Sequence, residues 1–123
     1  MKPSVQKEVE ELIKIFNLNC SVKQFKYKVD WNRISCYQNL SEDFIREFQD
    51  KVDWGCIPYQ QKLSENLIKA FQDKVDWDSI SSYQKLSENF IVEFANRLDI
   101  HVILEREDLK ISEEIRNYLK LLA

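Results

Sequence analysis

Three cysteines and one histidine are the side chains of this 123-residue chain that are best suited to metal binding or nucleophilic chemistry. Cys20, Cys36 and Cys56 form no C-x-x-C pair, and the only histidine, His101, lies far from them along the chain. A zinc site needs clustered cysteine and histidine ligands, and a thiol nucleophile needs a histidine in contact with it. The sequence therefore predicts no catalytic residue, no metal site and no cofactor, and it places His101 at a helix start or on the surface.

The cysteines also bear on the redox state of the protein. Cys36 and Cys56 fall at different positions of the 23-residue repeat described below, and Cys20 precedes the repeat. A disulfide framework in a repeat protein is expected to join equivalent positions. The sequence therefore predicts three reduced thiols, as in a protein of a reducing, cytosolic compartment.

Paired carboxylates, a second arrangement that supports catalysis, occur at Glu42-Asp43 and at Glu113-Glu114. Both pairs follow a serine, and acidic residues in the first turn of a helix are stabilised by the helix dipole. Helix capping therefore explains them without a catalytic role. The single glycine, Gly55, cannot build a glycine-rich phosphate-binding loop. We predict that the chain is not an enzyme.

The elements that position these side chains come from an internal repeat of 23 residues. Trp31, Trp54 and Trp77 recur at this spacing, and each follows the residues Lys-Val-Asp. When residues 48–70 are aligned with residues 71–93, 15 of the 23 positions are identical. Repetition at a period of about 20–50 residues indicates stacked supersecondary units that bury their apolar faces on one another.

The second half of each repeat predicts an amphipathic helix. In the third repeat Phe90, Ile91, Phe94 and Leu98 follow the spacing of one helical stripe. A serine followed by an acidic residue precedes this stripe, and serine is a favoured N-cap. The predicted helices begin after Ser41, Ser64 and Ser87 and run to about Val52, Val75 and Leu98.

Pro58 decides where the first helix of each repeat is predicted to begin. Proline is tolerated in the first turn of a helix but breaks it at the fifth residue, so Gly55 rather than Asp53 is the predicted N-cap. Asn32 and Asp78 are the equivalents of Gly55 in the other two repeats. The predicted first helices span about residues 33–39, 56–62 and 79–85.

The apolar positions that the repeats share form the predicted structural core. They are Trp31, Trp54, Trp77, Ile34, Ile57, Ile80, Leu40, Leu63, Leu86, Phe44, Phe90, Phe48, Phe71 and Phe94. We interpret the tryptophans as packing wedges between successive helical hairpins, with stacking on an aromatic or sugar ligand as the alternative.

These elements predict a single all-α domain, a short solenoid of αα-hairpin repeats with helical caps. Residues 1–29 form the N-terminal cap and a truncated repeat, residues 30–98 form three repeats, and residues 99–123 form a degenerate repeat and a C-terminal capping helix. The repeat register predicts a helix over residues 100–106, and the clustered isoleucine, valine and leucine leave a short strand as the alternative.

Charge and hydropathy narrow the function classes. The chain carries 18 basic and 21 acidic residues for a net charge of −3, and no run of lysine and arginine would build the positive face that phosphate neutralisation requires. Nucleic-acid binding is therefore disfavoured. The longest apolar run, Val102-Ile103-Leu104, is far too short to span a bilayer. With no signal peptide apparent, we expect a soluble intracellular protein without a membrane partner.

Positions that vary between repeats while the core stays constant are predicted to point outward and to bind a protein. Neutral drift after duplication is the alternative explanation. The candidate partner-binding residues are Arg33, Cys36, Tyr37, Tyr59, Gln60, Ser82 and Tyr83. The predicted function is a non-enzymatic protein–protein interaction module, and the alternative is a structural protein that self-assembles into homo-oligomers.

Residues 76–91, DWDSISSYQKLSENFI, resemble the DWxxISxYQxLSExFIxxF units of tandem-repeat proteins encoded by giant amoeba-infecting DNA viruses. The resemblance covers about residues 25–98, and the middle repeat departs from it at Pro58 and Gln60. The resemblance implies a viral helical repeat protein that is made in the host cytoplasm, with the virion as a second expected location. It carries over no catalytic residues. We expect the partner of the interaction module to be a host or viral protein.

Overall fold

The computed structural model describes residues 1–123 and is all-α, which confirms the predicted fold class. Two compact units divide the chain, an N-terminal unit over Met1–Gln61 and a C-terminal unit over Lys62–Ala123. The helices are α1 (Pro3–Ile15), α2 (Phe25–Lys28), α3 (Trp31–Tyr37), α4 (Glu42–Glu47) and α5 (Ile57–Gln60) in the N-terminal unit, and α6 (Glu65–Ala70), α7 (Trp77–Tyr83), α8 (Glu88–Glu93), α9 (Ile100–Glu105) and α10 (Glu113–Leu122) in the C-terminal unit. None of them is both long enough and apolar enough to cross a membrane. The stacking of the repeats into one solenoid stays a prediction.

The second helix of each repeat begins where the sequence predicts. The hydroxyls of Ser41, Ser64 and Ser87 accept the backbone N–H three residues later, at 3.0, 3.1 and 3.2 Å. These bonds satisfy donors that have no partner inside the helix.

The ends of these second helices were predicted too late, by about five residues. In the N-terminal unit α4 ends at Glu47, and a separate turn follows in which the Val52 N–H donates to the Phe48 carbonyl at 3.0 Å. The Arg46 carbonyl accepts the side-chain amide of Gln49 at 3.1 Å instead of continuing the helix. A side-chain amide thus bonds to a carbonyl that would accept a backbone N–H if the helix continued.

The predicted caps of the first helices were wrong by two residues in the outer repeats. Asp30 and Asp76 cap α3 and α7, accepting the N–H of Arg33 at 3.1 Å and of Ser79 at 3.3 Å. Asp99 caps α9 in the same way. The error arose because the constraint set by Pro58 was extended to repeats that contain no proline, where an aspartate two residues earlier is free to cap.

The middle repeat starts its first helix differently because of Pro58. The Asp53 carbonyl accepts the N–H groups of Cys56 and Ile57, both at 3.0 Å, so a turn comes first and α5 begins only at Ile57. Pro58 is the second residue of α5, where a helix does not need its N–H. Gly55 lies inside that turn and is not the cap.

The terminal segments are helical, as the apolar pattern predicts. α1 carries the buried Val5, Val9 and Leu12 on one stripe, and α10 begins after Ser112, whose hydroxyl accepts the Ile115 N–H at 3.3 Å. Residues 100–105 form a helix rather than a strand. Within the predicted N-terminal cap and truncated repeat, α2 is a short helix over Phe25–Lys28.

Each unit has its own apolar core. In the N-terminal unit α1 packs on α4 and α3 on α5, and in the C-terminal unit α7 packs on α9 and α10 on both α8 and α9. Trp31 lies 5.1 Å from Phe48, centroid to centroid, and Trp77 lies 5.3 Å from Phe94. Of the core positions named above, the three tryptophans and Phe71 are half-buried and the others, Ile34, Ile57, Ile80, Leu40, Leu63, Leu86, Phe44, Phe90, Phe48 and Phe94, are buried.

Candidate functional site

A repeated hydrogen bond fixes each tryptophan, two of them at the first residue of a first helix and Trp54 in the turn before α5. The indole Nε1–H groups of Trp31, Trp54 and Trp77 donate to a carbonyl five residues earlier, at 2.9, 2.9 and 3.0 Å. A half-buried tryptophan usually needs such a partner for its N–H. The bond joins the end of one repeat to the start of the next. It thereby helps to fix the orientation of the first helix relative to the turn that precedes it.

Serine side chains then align neighbouring first helices. In the N-terminal unit the Asp53 N–H donates to the hydroxyl of Ser35 at 2.9 Å, which places the turn before α5 against α3. In the C-terminal unit the Asp99 N–H donates to Ser81 at the same distance and places α9 against α7. Ser35 and Ser81 are both buried, and the bond satisfies a hydroxyl that would be costly to bury alone.

The packing of α5 on α3 brings Cys36 and Cys56 together in a disulfide with a Cα–Cα distance of 4.9 Å. The prediction of three reduced thiols was therefore wrong for these two, and Cys20 alone is a free, half-buried cysteine. The two cysteines are 20 residues apart, which is one repeat less about one helical turn. Residues that face each other across the two packed helices are therefore offset by about one turn from equivalent repeat positions. Equivalent positions were for this reason the wrong place to look for a disulfide.

Asp53 completes a cluster with the two cysteines. One ligand atom from each of Cys36, Asp53 and Cys56 lies within 4.8 Å of the others, and all three residues are half-buried. The side-chain amide of Asn32 donates to Asp53 Oδ2 at 2.7 Å, and the Gly55 N–H donates to Asp53 Oδ1 at 3.0 Å. The carboxylate is thus held in one orientation from two sides.

This cluster does not stand out in the sequence because its two cysteines are far apart in the chain and no histidine accompanies them. Two signals were present in the sequence: the 20-residue separation of Cys36 and Cys56, and the Asp-x-x-Cys spacing of Asp53 and Cys56. Thiolate and carboxylate are both ligand types that proteins use for zinc. The corresponding positions in the C-terminal unit are Ser82, Asp99 and Val102, which offer no thiol.

The residues predicted to bind a partner lie largely at the surface. Tyr37 is 75% exposed, Tyr59 58% and Tyr83 57%. Arg33 is also exposed, with its guanidinium 5.1 Å from the ring centre of Phe16. The remaining candidates are half-buried and offer less surface; they are Gln60, Ser82 and the disulfide-bonded Cys36.

A different cluster closes the first-helix pair of the C-terminal unit. Arg106 Nη1 donates to the carbonyls of Ser81 and Gln84, both at 2.8 Å, and its Nη2 donates to Asp108 at 2.6 Å. That hydrogen bond from Arg106 holds the pKa of Asp108 below its usual value of 3.8. His101 is an exposed residue of α9.

Comparison of the chain with protein-family models, with curated protein sequences and with solved structures finds no match. The functional proposals therefore rest on the residues described above.

Proposed function

We propose that the chain is a non-enzymatic protein–protein interaction module that binds its partner through Tyr37 and Tyr59, the pair we name the tyrosine surface. The observation that carries the proposal is that these two aromatic side chains, on the paired helices α3 and α5, keep more than half of their surface in water. Tyrosine is enriched among the residues that dominate binding energy at protein interfaces.

The helices that carry the tyrosine surface are held rigidly, which favours binding. The Cys36–Cys56 disulfide joins α3 to the start of α5, and the bond from the Asp53 N–H to Ser35 fixes the same junction. A surface that is already ordered loses less conformational entropy when a partner binds. Tyr83 on α7 is a residue of the same kind in the C-terminal unit, and we include it as a second, separate contact point.

The resemblance of the repeats to those of giant amoeba-infecting viruses leads us to propose a viral protein that acts in the host cytoplasm. The partner in this proposal is a host or viral protein. We include packaging into the virion as a second location of the same protein.

The test is affinity capture from infected-cell lysate with three tagged proteins: the wild type, a Tyr37→Ala/Tyr59→Ala variant, and a Tyr27→Ala control. Tyr27 is a suitable control because it lies in the same unit, is 71% exposed and belongs to α2 rather than to a first helix. We expect the double variant to keep its helical circular dichroism and to lose a protein that the wild type and the control both retain. Equal retention by all three proteins would contradict the proposal.

Self-assembly is the alternative function, and the last helix offers an observation in its favour. Leu121 and Leu122 of α10 are exposed, as is the neighbouring Tyr118. An apolar helix face of this kind is typical of contacts between protein chains. Light scattering across a concentration series distinguishes the two: a mass that rises with concentration, and that falls in a Leu121→Ser variant, would favour a structural protein.

A further inference from the structure

The cluster around the disulfide points to a site that the tyrosine surface does not involve. We propose that Cys36, Cys56 and Asp53, once the disulfide is reduced, bind one thiophilic divalent cation, for which Zn²⁺ has the fitting ligand preference. None of the three ligands belongs to the tyrosine surface, so the metal site can be tested without a partner.

The distances within the cluster suit a zinc ion. Bonds of about 2.3 Å to sulfur and about 2.0–2.2 Å to oxygen place the ligand atoms of a tetrahedral zinc site roughly 3.5–3.8 Å apart. One atom of each of Cys36, Asp53 and Cys56 already lies within 4.8 Å of the other two. A disulfide holds its two sulfurs about 2.0 Å apart, so the bond must break before they can separate to the zinc spacing.

The backbone between Asp53 and Cys56 has the form of a ligand-bearing turn. The two residues are three positions apart, and the Cys56 N–H donates to the Asp53 carbonyl at 3.0 Å. Pairs of zinc ligands in structural sites commonly have two to four residues between them, so this spacing of two is within the usual range. Gly55 occupies the turn, where a Cβ atom would lie 3.2 Å from Asp53 Oδ1. The third ligand, Cys36, comes from the neighbouring helix α3.

Asn32 supplies the outer support that metal-binding carboxylates usually have. Its side-chain amide donates to Asp53 Oδ2 at 2.7 Å and lies 4.0 Å from the sulfur of Cys56. Each carboxylate oxygen has two lone pairs, so a hydrogen bond to Asn32 or Gly55 leaves one free for a metal. Such supporting hydrogen bonds orient the ligands and strengthen metal binding. A water molecule fills the fourth coordination position in this proposal.

Reduction must precede metal binding, and its reductant is a low-molecular-weight thiol such as glutathione. Two reductant thiols become one disulfide, and their two electrons and two protons convert the Cys36–Cys56 bond into two thiols. Zn²⁺ then forms two Zn–S bonds, and both thiol protons pass to water. The oxidised chain has no thiolate at this position and is expected to bind no metal there.

The test uses the full-length protein, reduced with dithiothreitol and then desalted without oxygen, and Co²⁺ as a spectroscopic substitute for Zn²⁺. We expect one equivalent of Co²⁺ to produce thiolate-to-metal absorption that one equivalent of Zn²⁺ abolishes. Cys20→Ser is the matched control and should leave the signal intact, whereas Cys36→Ser should remove most of it. Asn32→Ala should weaken binding by about 10- to 100-fold.

The outcomes separate a metal site from a purely structural disulfide. If the reduced chain unfolds, recovery of its circular dichroism on addition of Zn²⁺ supports the site, because metal binding would then drive folding. The proposal is overturned if the reduced wild type binds no Co²⁺, folded or not, if Cys20→Ser rather than Cys36→Ser removes the signal, or if the oxidised protein binds equally well. Partner capture by the oxidised wild type and the Tyr37→Ala/Tyr59→Ala variant, both of which keep the Cys36–Cys56 disulfide, shows separately whether the proposed function fails.

Discussion

The first-helix pairs α3–α5 and α7–α9 are two copies of one junction that are closed by different chemistry. In both, a buried serine on the earlier helix accepts the N–H of an aspartate, Asp53 or Asp99, at 2.9 Å. The N-terminal junction adds the Cys36–Cys56 disulfide. The C-terminal junction has Ser82 and Val102 at the corresponding positions, and there Arg106 donates to the Ser81 and Gln84 carbonyls and pairs with Asp108. In the N-terminal junction the uncharged side chain of Gln61 donates to the equivalent carbonyls, those of Ser35 and Gln38.

The difference shows which parts of the chain supply structure and which supply chemistry. The residues that recur at the 23-residue period pack the core and cap the helices in both units. The residues that depart from the period differ between the junctions: the N-terminal junction has the cysteine pair Cys36 and Cys56 beside the recurring Asp53, and the C-terminal junction has the ion pair of Arg106 with Asp108. We therefore expect residues that differ between repeats to carry the function and residues that recur to carry the structure. Variants of both kinds test this expectation.

The largest effect is expected from truncating the shared core. Phe44 and Phe90 occupy equivalent positions two repeats apart, and both are almost fully buried. We expect Phe44→Ala and Phe90→Ala each to lower the free energy of unfolding by about 3–5 kcal/mol, measured by urea denaturation. If one variant lost most of this amount and the other almost none, the two units would not share one structural scaffold.

Reducing the disulfide should weaken one junction and spare the other. Opening a cross-link between residues 20 apart is expected to cost about 3 kcal/mol of stability. Hydrogen exchange should show faster exchange of the α3 and α5 amides in the reduced protein, with α7 and α9 unchanged. The Cys20→Ser variant should behave like the wild type. Faster exchange throughout both units would show that the disulfide does not act locally.

Removing Arg106 is the reciprocal test in the C-terminal unit. Arg106→Met keeps much of the packing volume but leaves the Ser81 and Gln84 carbonyls without this donor. A loss of about 2 kcal/mol is expected, since hydrogen bonds to charged groups contribute roughly 1.5–3 kcal/mol. The matched variant, Gln61→Met in the N-terminal unit, removes the acceptor of the Leu40 N–H at 2.9 Å. We expect Gln61→Met to speed the hydrogen exchange of backbone amides in the N-terminal unit alone. Faster exchange of the α7 or α9 amides in this variant would argue against separate junctions.

The smallest effect concerns acid stability. Because the hydrogen bond from Arg106 lowers the pKa of Asp108 in the folded chain, the Asp108 carboxylate stabilises the fold above the unfolded pKa of 3.8. That contribution is lost as the pH falls below 3.8 through the lower, folded pKa. Asp108 is largely exposed, so we expect Asp108→Asn to remove less than about 1 kcal/mol at neutral pH. Thermal unfolding measured from pH 7 down through the acid range tests this, and the difference between the two proteins should shrink progressively as the pH falls below 3.8.

The regular features of this fold were predictable from the sequence because the same residue pattern occurs in each repeat. Serine caps, apolar stripes and the terminal helices follow from local rules, and the all-α class follows from them. The cap of the first helix was mispredicted because Pro58, which one repeat alone contains, was allowed to determine all three. The preference of aspartate for the N-cap position predicts the observed caps, Asp30 and Asp76.

The candidate sites were less predictable because they depend on contacts between helices. The exposure of Tyr37 and Tyr59 follows from variation between repeats, and the residues themselves could be named from the sequence. The grouping of Cys36, Asp53 and Cys56 depends on the offset between neighbouring helices, which a one-dimensional alignment of repeats does not contain. Arg106 was missed for the same reason, since it lies outside the regular repeat and reaches carbonyls more than 20 residues away.

The proposal that the tyrosine surface contacts a protein partner is tested most directly by hydroxyl-radical footprinting of the chain with and without the captured partner. We expect oxidation of Tyr37 and Tyr59 to fall several-fold in the complex, whereas Tyr27 is oxidised equally in both states. Unchanged oxidation of Tyr37 and Tyr59 in a complex that has demonstrably formed would contradict the proposal and move the binding surface elsewhere on the chain.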